Sequence, residues 1–142
     1  MVEPSQAALR IGVKALARRE LSFVELCARL ERSGVAPGEA ARVSASLRTA
    51  GYQSDERTAS ERARVLAARC LGDAAITADL EGRGLARMDI DRAVAGVPNE
   101  EARAKTLAAR LGRGPKLFQA LRRKGYSEET AHRMSFTGIA DA

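Results

Sequence analysis

The hexapeptide LRRKGY, residues 121–126, decides how the chain is read, because two earlier stretches share its frame: LERSGV at 30–35 and LEGRGL at 80–85. Each holds a Leu, three mostly polar residues, a Gly and an apolar residue. A helix that ends in a Schellman motif needs a left-handed residue just past its last turn, which Gly supplies without a Cβ clash. The residue after that glycine then packs against an apolar side chain one turn back. Gly125 takes the first role, and Tyr126 with Leu121 the second. Leu30 with Val35 and Leu80 with Leu85 stand in the same relation, as do Leu47 and Tyr52 around Gly51. LRRKGY is therefore first a helix terminus.

The flanks turn the terminus into a repeat. Four residues before each Leu of the three hexapeptides stands another apolar residue, Leu26, Ile76 or Leu117, and before that Leu21, Leu71 or Leu111 closes a preceding helix. After each glycine comes a third helix, carrying Val43 and Leu47, Ile90 and Val94, or Ala131 and Met134. Helical spacing holds elsewhere too, in Phe23, Leu26, Cys27 and Leu30, in Ala59, Ala63, Leu66, Ala67 and Cys70, and in Ala104, Leu107, Ala108 and Leu111. Start signals recur: Ser22 with Glu25 as a capping box, Pro37 at a first helical position, and Ser54, Asn99 and Ser127 each before acidic residues. No short run alternates β-branched and aromatic residues as a strand would. These patterns predict an all-α chain without a β-sheet, built as three tandem three-helix repeats over 1–53, 54–98 and 99–142. Three is about the number of units that such an array needs for mutual support.

Composition agrees with thin helices packed closely. Ala supplies much of the 45% hydrophobic content, there is no Trp, and the aromatic residues are Phe23, Tyr52, Phe118, Tyr126 and Phe136. Glu3 and Pro4 stand where a leader peptide would be apolar, and no run reaches the roughly 18 apolar residues of a membrane span, so a cytoplasmic protein is expected. Cys27 and Cys70 lack a CxxC partner, and His132 is the one histidine. Two packed thiols in a reducing compartment, without a metal, are the expectation.

The net charge of +6 is unevenly spread: residues 1–50 carry +3, residues 51–98 carry −1 and residues 99–142 carry +4. Twenty of the 24 cations are Arg, the side chain suited to bidentate contact with carboxylates and phosphates. No catalytic constellation accompanies them. GRGPK at 112–116 lacks the hydroxyl and the preceding strand of a phosphate loop, and the paired carboxylates fall at helix starts, where the helix dipole accounts for them. No enzyme, no cofactor and no metal site is expected. The binding candidates are Arg57, Arg64 and Arg69 on the helix after Ser54, with Arg110, Arg113, Lys116, Arg122, Arg123 and Lys124 in the last unit. Arg18 and Arg19 are the candidates at the other end. Such clusters suit an acidic or anionic partner. Residues 23–52 also read as a helix-turn-helix, which keeps a DNA-binding transcriptional regulator as the alternative. A winged version needs a hairpin after Gly51-Tyr52, whereas Gln53-Ser54-Asp55 caps a long helix instead.

In order along the chain, these residues resemble the RecX family of bacterial recombinase regulators. ALRIGVKALARRELSFVELCARL at 8–30 is similar to the family's opening signature, chiefly at Arg19, Ser22, Glu25, Leu26 and Leu30. GYQSDERTA at 51–59 stands for a Gly-Tyr-Leu-Asp-Asp link followed by Phe-Ala, Gly72 and DLEGRGL follow, and LRRKGY stands for the closing Gly-Phe turn. Gln53, Ser54, Thr58 and Tyr126 depart from the pattern, and the loss of an apolar anchor at Thr58 predicts a looser joint between the first two units. The resemblance implies a nonenzymatic, monomeric modulator with an elongated, curved body. It implies binding in the groove of the RecA–DNA filament, restraint of RecA's ATPase, strand exchange and filament growth, and weak, non-specific contact with single- or double-stranded DNA. The uneven charge adds the expectation that the basic outer units grip the filament while the balanced middle unit acts as a spacer.

Overall fold

In the computed structural model, which describes residues 4–136, the glycines of the repeated frame have φ of +96° at Gly34, +78° at Gly84 and +93° at Gly125. The amide of Tyr126 donates to the Leu121 carbonyl at 3.0 Å and that of Gly125 to Arg122 at 3.2 Å, the paired bonds of a Schellman stop. Val35 donates to Leu30 and Tyr52 to Leu47 in the same way. Residues 1–3, Glu3 among them, and residues 137–142 lie outside the described part.

Between these stops run α1 (Gln6–Arg18), α2 (Phe23–Arg32), α3 (Pro37–Thr49), α4 (Asp55–Ala68), α5 (Asp73–Gly82), α6 (Arg87–Ala95), α7 (Glu100–Leu111), α8 (Pro115–Arg123) and α9 (Glu128–Phe136). The described residues contain no strand. Ser22 and Glu25 close a capping box on α2, and the side chains of Ser54 and Asn99 cap α4 and α7 as expected. The helices pack as consecutive triplets, each around its own core. Leu26, Leu30, Val43 and Leu47 fill the first, Leu66, Ile76, Leu80 and Ile90 the second, and Leu107, Leu117, Leu121 and Tyr126 the third. The architecture is thus all-α, in three three-helix units.

Consecutive units meet at two joints of one design. At the first, the side chain of Asp55 accepts from the Phe23 amide, Ser22 Oγ donates to the Arg83 carbonyl, and Leu21 O accepts from Gln53 and Thr58. At the second, Glu100 accepts from the Asp73 amide, the Gly72 amide donates to the Lys124 carbonyl, and Leu71 O accepts from Arg103. The Leu21 and Leu71 carbonyls and the Phe23, Gly72 and Asp73 amides, all at the start of a unit's second helix, are therefore met by the next unit, which satisfies backbone groups that the helix end leaves open.

The expected looseness at Thr58 is not what the structure shows. Thr58 is buried, and its hydroxyl lies 3.0 Å from Leu21 O and 2.8 Å from Ser54 O, its single proton serving one of them at a time. Gln53 Nε2 donates to Leu21 O at 3.1 Å and to Asp55 at 2.9 Å. Hydrogen bonds close this joint in place of an apolar side chain.

At the second joint the Tyr126 hydroxyl donates to the Cys70 carbonyl at 2.9 Å. Burial pushes its ionisation up to about 12, with the nearby Arg103 charge offsetting part of the rise. An unfolded tyrosine loses its proton near pH 10. Between about pH 10 and this raised value of about 12, the folded chain holds a proton that the unfolded chain lacks, so stability falls as pH rises through that window. A phenolate absorbance titration of Tyr52→Phe, which leaves Tyr126 as the one tyrosine, should show ionisation near 12 or coincident with unfolding. Ionisation near 10 in a still-folded protein would contradict it.

Candidate partner-binding site

The basic residues singled out in the sequence fall into three structural groups. Arg57 belongs to the first joint: it pairs with Glu20 and donates to the carbonyls of Gly51 and Tyr52. Arg113 donates to Met134 O, Arg122 to Tyr126 O and Lys124 Nζ to Arg69 O, so each ties two parts of the backbone together. Arg18, Arg19, Arg69, Arg110, Lys116 and Arg123 are exposed, and Arg64 is exposed with an ion pair to Glu61. The Lys124 bond brings the end of α8 against the end of α4, which places Arg69 beside Lys124. Arg110 and Lys116 flank the α7–α8 turn of the same unit, whereas Arg18 and Arg19 stand at the end of α1, by the first joint.

Two arginines that sequence reasoning passed over hold the joints. Arg83 reaches from the second unit to Glu25 of the first at 3.0 Å and binds Asp79 at 2.7 Å, and Arg62 grips the same Asp79 through two hydrogen bonds. Burial alone would raise the Asp79 carboxyl, but hydrogen bonds from Arg62 and Arg83, with their charges, outweigh it and hold the group below the usual carboxylate range. Arg103 is 3% exposed and spends its donors on Leu71 O, Pro98 O and the Asp73 carboxylate. The available signal was positional: Arg103 follows Asn99 as Thr58 follows Ser54, on a stripe otherwise made of Ala and Leu.

The arrangement offers contact chemistry. Among the described residues no cluster of His, Cys, Asp and Glu is placed to hold a metal ion, and both cysteines are free. No described helix is long and apolar enough to cross a membrane. His132 is exposed on α9 and stacks at 5.1 Å on Phe136.

The chain aligns with the crystal structure of RecX from Lactobacillus salivarius at a TM-score of 0.73 and 16% identity, over 90% of this chain and 92% of that one. The fold is that of RecX. A second crystal structure, of the regulatory protein RecX, aligns at a TM-score of 0.74 and 18% identity, over 90% of this chain and 70% of that one. No protein-family model and no curated protein matches the sequence. Within the RecX fold, the sequence departures have physical accounts: Ser54 caps α4, Gln53 and Thr58 knit the first joint, and the Tyr126 hydroxyl adds a bond across the second.

Proposed function

We propose that this protein is a nonenzymatic regulator that binds the RecA–DNA filament and restrains its ATP turnover, strand exchange and growth. The observation that carries the reading is the RecX fold over nine-tenths of the chain, joined to a set of exposed cations at the third unit. A filament repeats its surfaces along an axis, and a body of three docked units suits contact with several neighbouring subunits at once. Binding that favours a subunit state slow to turn over ATP would shift the whole assembly towards it. The basic end units grip the partner in this reading, and the balanced middle unit sets their spacing. The partner places the protein in the cytoplasm, where it acts as a monomer. The helix-turn-helix alternative loses ground, since α4 starts three residues after Tyr52 and occupies the place of a wing.

The structure also refines the test. Reversing Arg113, Arg122 or Lys124 would remove backbone ties as well as charge, so the informative set is Arg110, Lys116 and Arg123. The triple variant R110E/K116E/R123E should keep its helix content and require at least about tenfold more protein for the same inhibition of RecA-dependent ATP hydrolysis, as expected for lost steering and contact. Undiminished inhibition would reject the assignment of the grip to this end. Wild-type binding to duplex DNA without RecA should be weak and steeply salt-dependent, whereas sequence-specific binding would favour the regulator of transcription.

A further inference from the structure

The second joint leaves open what the first joint closes. Leu21 corresponds to Leu71 and Thr58 to Arg103 by their matching bonds, and Leu80 corresponds to Leu121 by the stops that they anchor. In that register Glu20 and Glu25 pair with Arg57 and Arg83 across the first joint, and beside them Glu61 pairs with Arg64 and Asp79 with Arg62 inside the second unit. The counterparts of these four acids at the second joint are Cys70, Ala75, Thr106 and Ala120, none of which carries a charge. The Arg57–Glu20 strap becomes Ala102 and Cys70, and in its place lies a groove of about 320 Å³ between α4 and α7. Ala67, Ala68, Cys70, Pro98 and Ala102 form its apolar lining, and Arg64 stands at its rim.

The acids have gone while part of the positive charge remains. Arg69 and Lys124 occupy the places of Arg19 and Arg83, and Arg19 with Arg83 lines the first joint's smaller cleft of about 150 Å³. Arg110 follows Thr106 by one helical turn on α7. Of the nearby carboxylates, Glu61 pairs with Arg64 of the groove, while Asp73 and Glu100 line a separate cleft with Arg103 and are engaged by its guanidinium and by the Asp73 amide, respectively. A groove of this size is in the range that takes a ligand side chain.

We infer that the α4–α7 groove docks an acidic, extended segment of a protein partner, whose apolar side chain enters the groove while its carboxylates meet Arg69 and Lys124. The segment thereby supplies the carboxylates that the first joint carries itself. An apolar lining favours a peptide over a phosphate backbone, which would leave the Ala, Cys and Pro surface uncovered. The inference goes beyond the RecA reading and stands without it, because it rests on the internal comparison of the joints.

The probe is a fluorescein-labelled synthetic peptide with a Leu-Leu pair between runs of Asp and Glu, followed by anisotropy. The peptide should bind the wild type and lose at least about tenfold in affinity when Ser-Ser replaces Leu-Leu or Asn and Gln replace the acids. The variant A102R/T106E fills the groove at exposed positions without changing net charge and should weaken binding similarly, with R69E reporting the charge contribution alone. Failure of the wild type to bind, or unchanged affinity in A102R/T106E, would overturn the proposal. Loss of a short DNA duplex, but not of the peptide, in that variant would assign the groove to nucleic acid and overturn it equally.

Discussion

Replacing Arg103 with Met should cost about 1–3 kcal/mol of stability, as expected when a buried charged donor is removed from its carbonyl acceptors. Met keeps much of the aliphatic stem, so the change removes donors more than volume. The carbonyls of Leu71 and Pro98 lose their partner at a joint closed by the packed third unit. Asp73 is 52% exposed on its side chain and is rehydrated, so it adds little. The half-buried Leu71 carbonyl, at about 1–3 kcal/mol, therefore dominates, because Pro98 is exposed and its carbonyl is rehydrated too. Arg103→Lys keeps a charge near Asp73 but not the forked donors, and should recover only part of the loss. The damage has an address. In an array whose stability adds unit by unit and joint by joint, hydrogen exchange should accelerate at the α4–α7 contact and through the third unit, with the first unit unaffected. A uniform rise across all three units would argue against the joint as the seat of the effect.

What the sequence disclosed, and what it hid, follows from how local each feature is. The stops at Gly34, Gly84 and Gly125 were legible because a left-handed position restricts residue type and its anchors lie within six residues. The end of α4 was not legible in this way, because Cys70 takes the left-handed position there, with φ of +62°, and Leu71 donates to Leu66 O as in the other stops. A stop without glycine leaves no compositional mark. The joints were hidden for another reason. Equivalent positions do one job with different chemistry, as when Thr58 and Arg103 both serve the carbonyl of the Leu just before the second helix of the preceding unit. Likewise the sequence placed Arg57, Arg113, Arg122 and Lys124 among the binding candidates but held no sign that each bonds a carbonyl. Whether a cation is free depends on the chain that folds over it.

A pair of glycine substitutions separates the two roles of the repeated hexapeptide. Gly34→Ala and Gly125→Ala place a Cβ on backbones of almost equal φ, +96° and +93°, so both bear left-handed strain of about 1–2 kcal/mol. At Gly34 the added carbon meets nothing within 4 Å. At Gly125 it would lie 2.6 Å from the Cβ of Ala75 and 2.9 Å from its backbone nitrogen, in the helix on which the third unit docks. That overlap cannot be relieved by turning a side chain, and crowding of this kind adds about 1–3 kcal/mol. Gly125→Ala should therefore be the more destabilising by that margin in denaturant melts. Ala75→Gly made in the Gly125→Ala background should return part of the difference, as coupled neighbours do in a double-mutant cycle, and should return nothing to Gly34→Ala. Equal losses at the two glycines would mean that the motif is a helix stop and nothing more. The expected inequality makes the later copies docking surfaces as well: the first copy has no preceding unit to meet, whereas the second and third each press a glycine against the unit before, Gly84 on Val24 and Gly125 on Ala75.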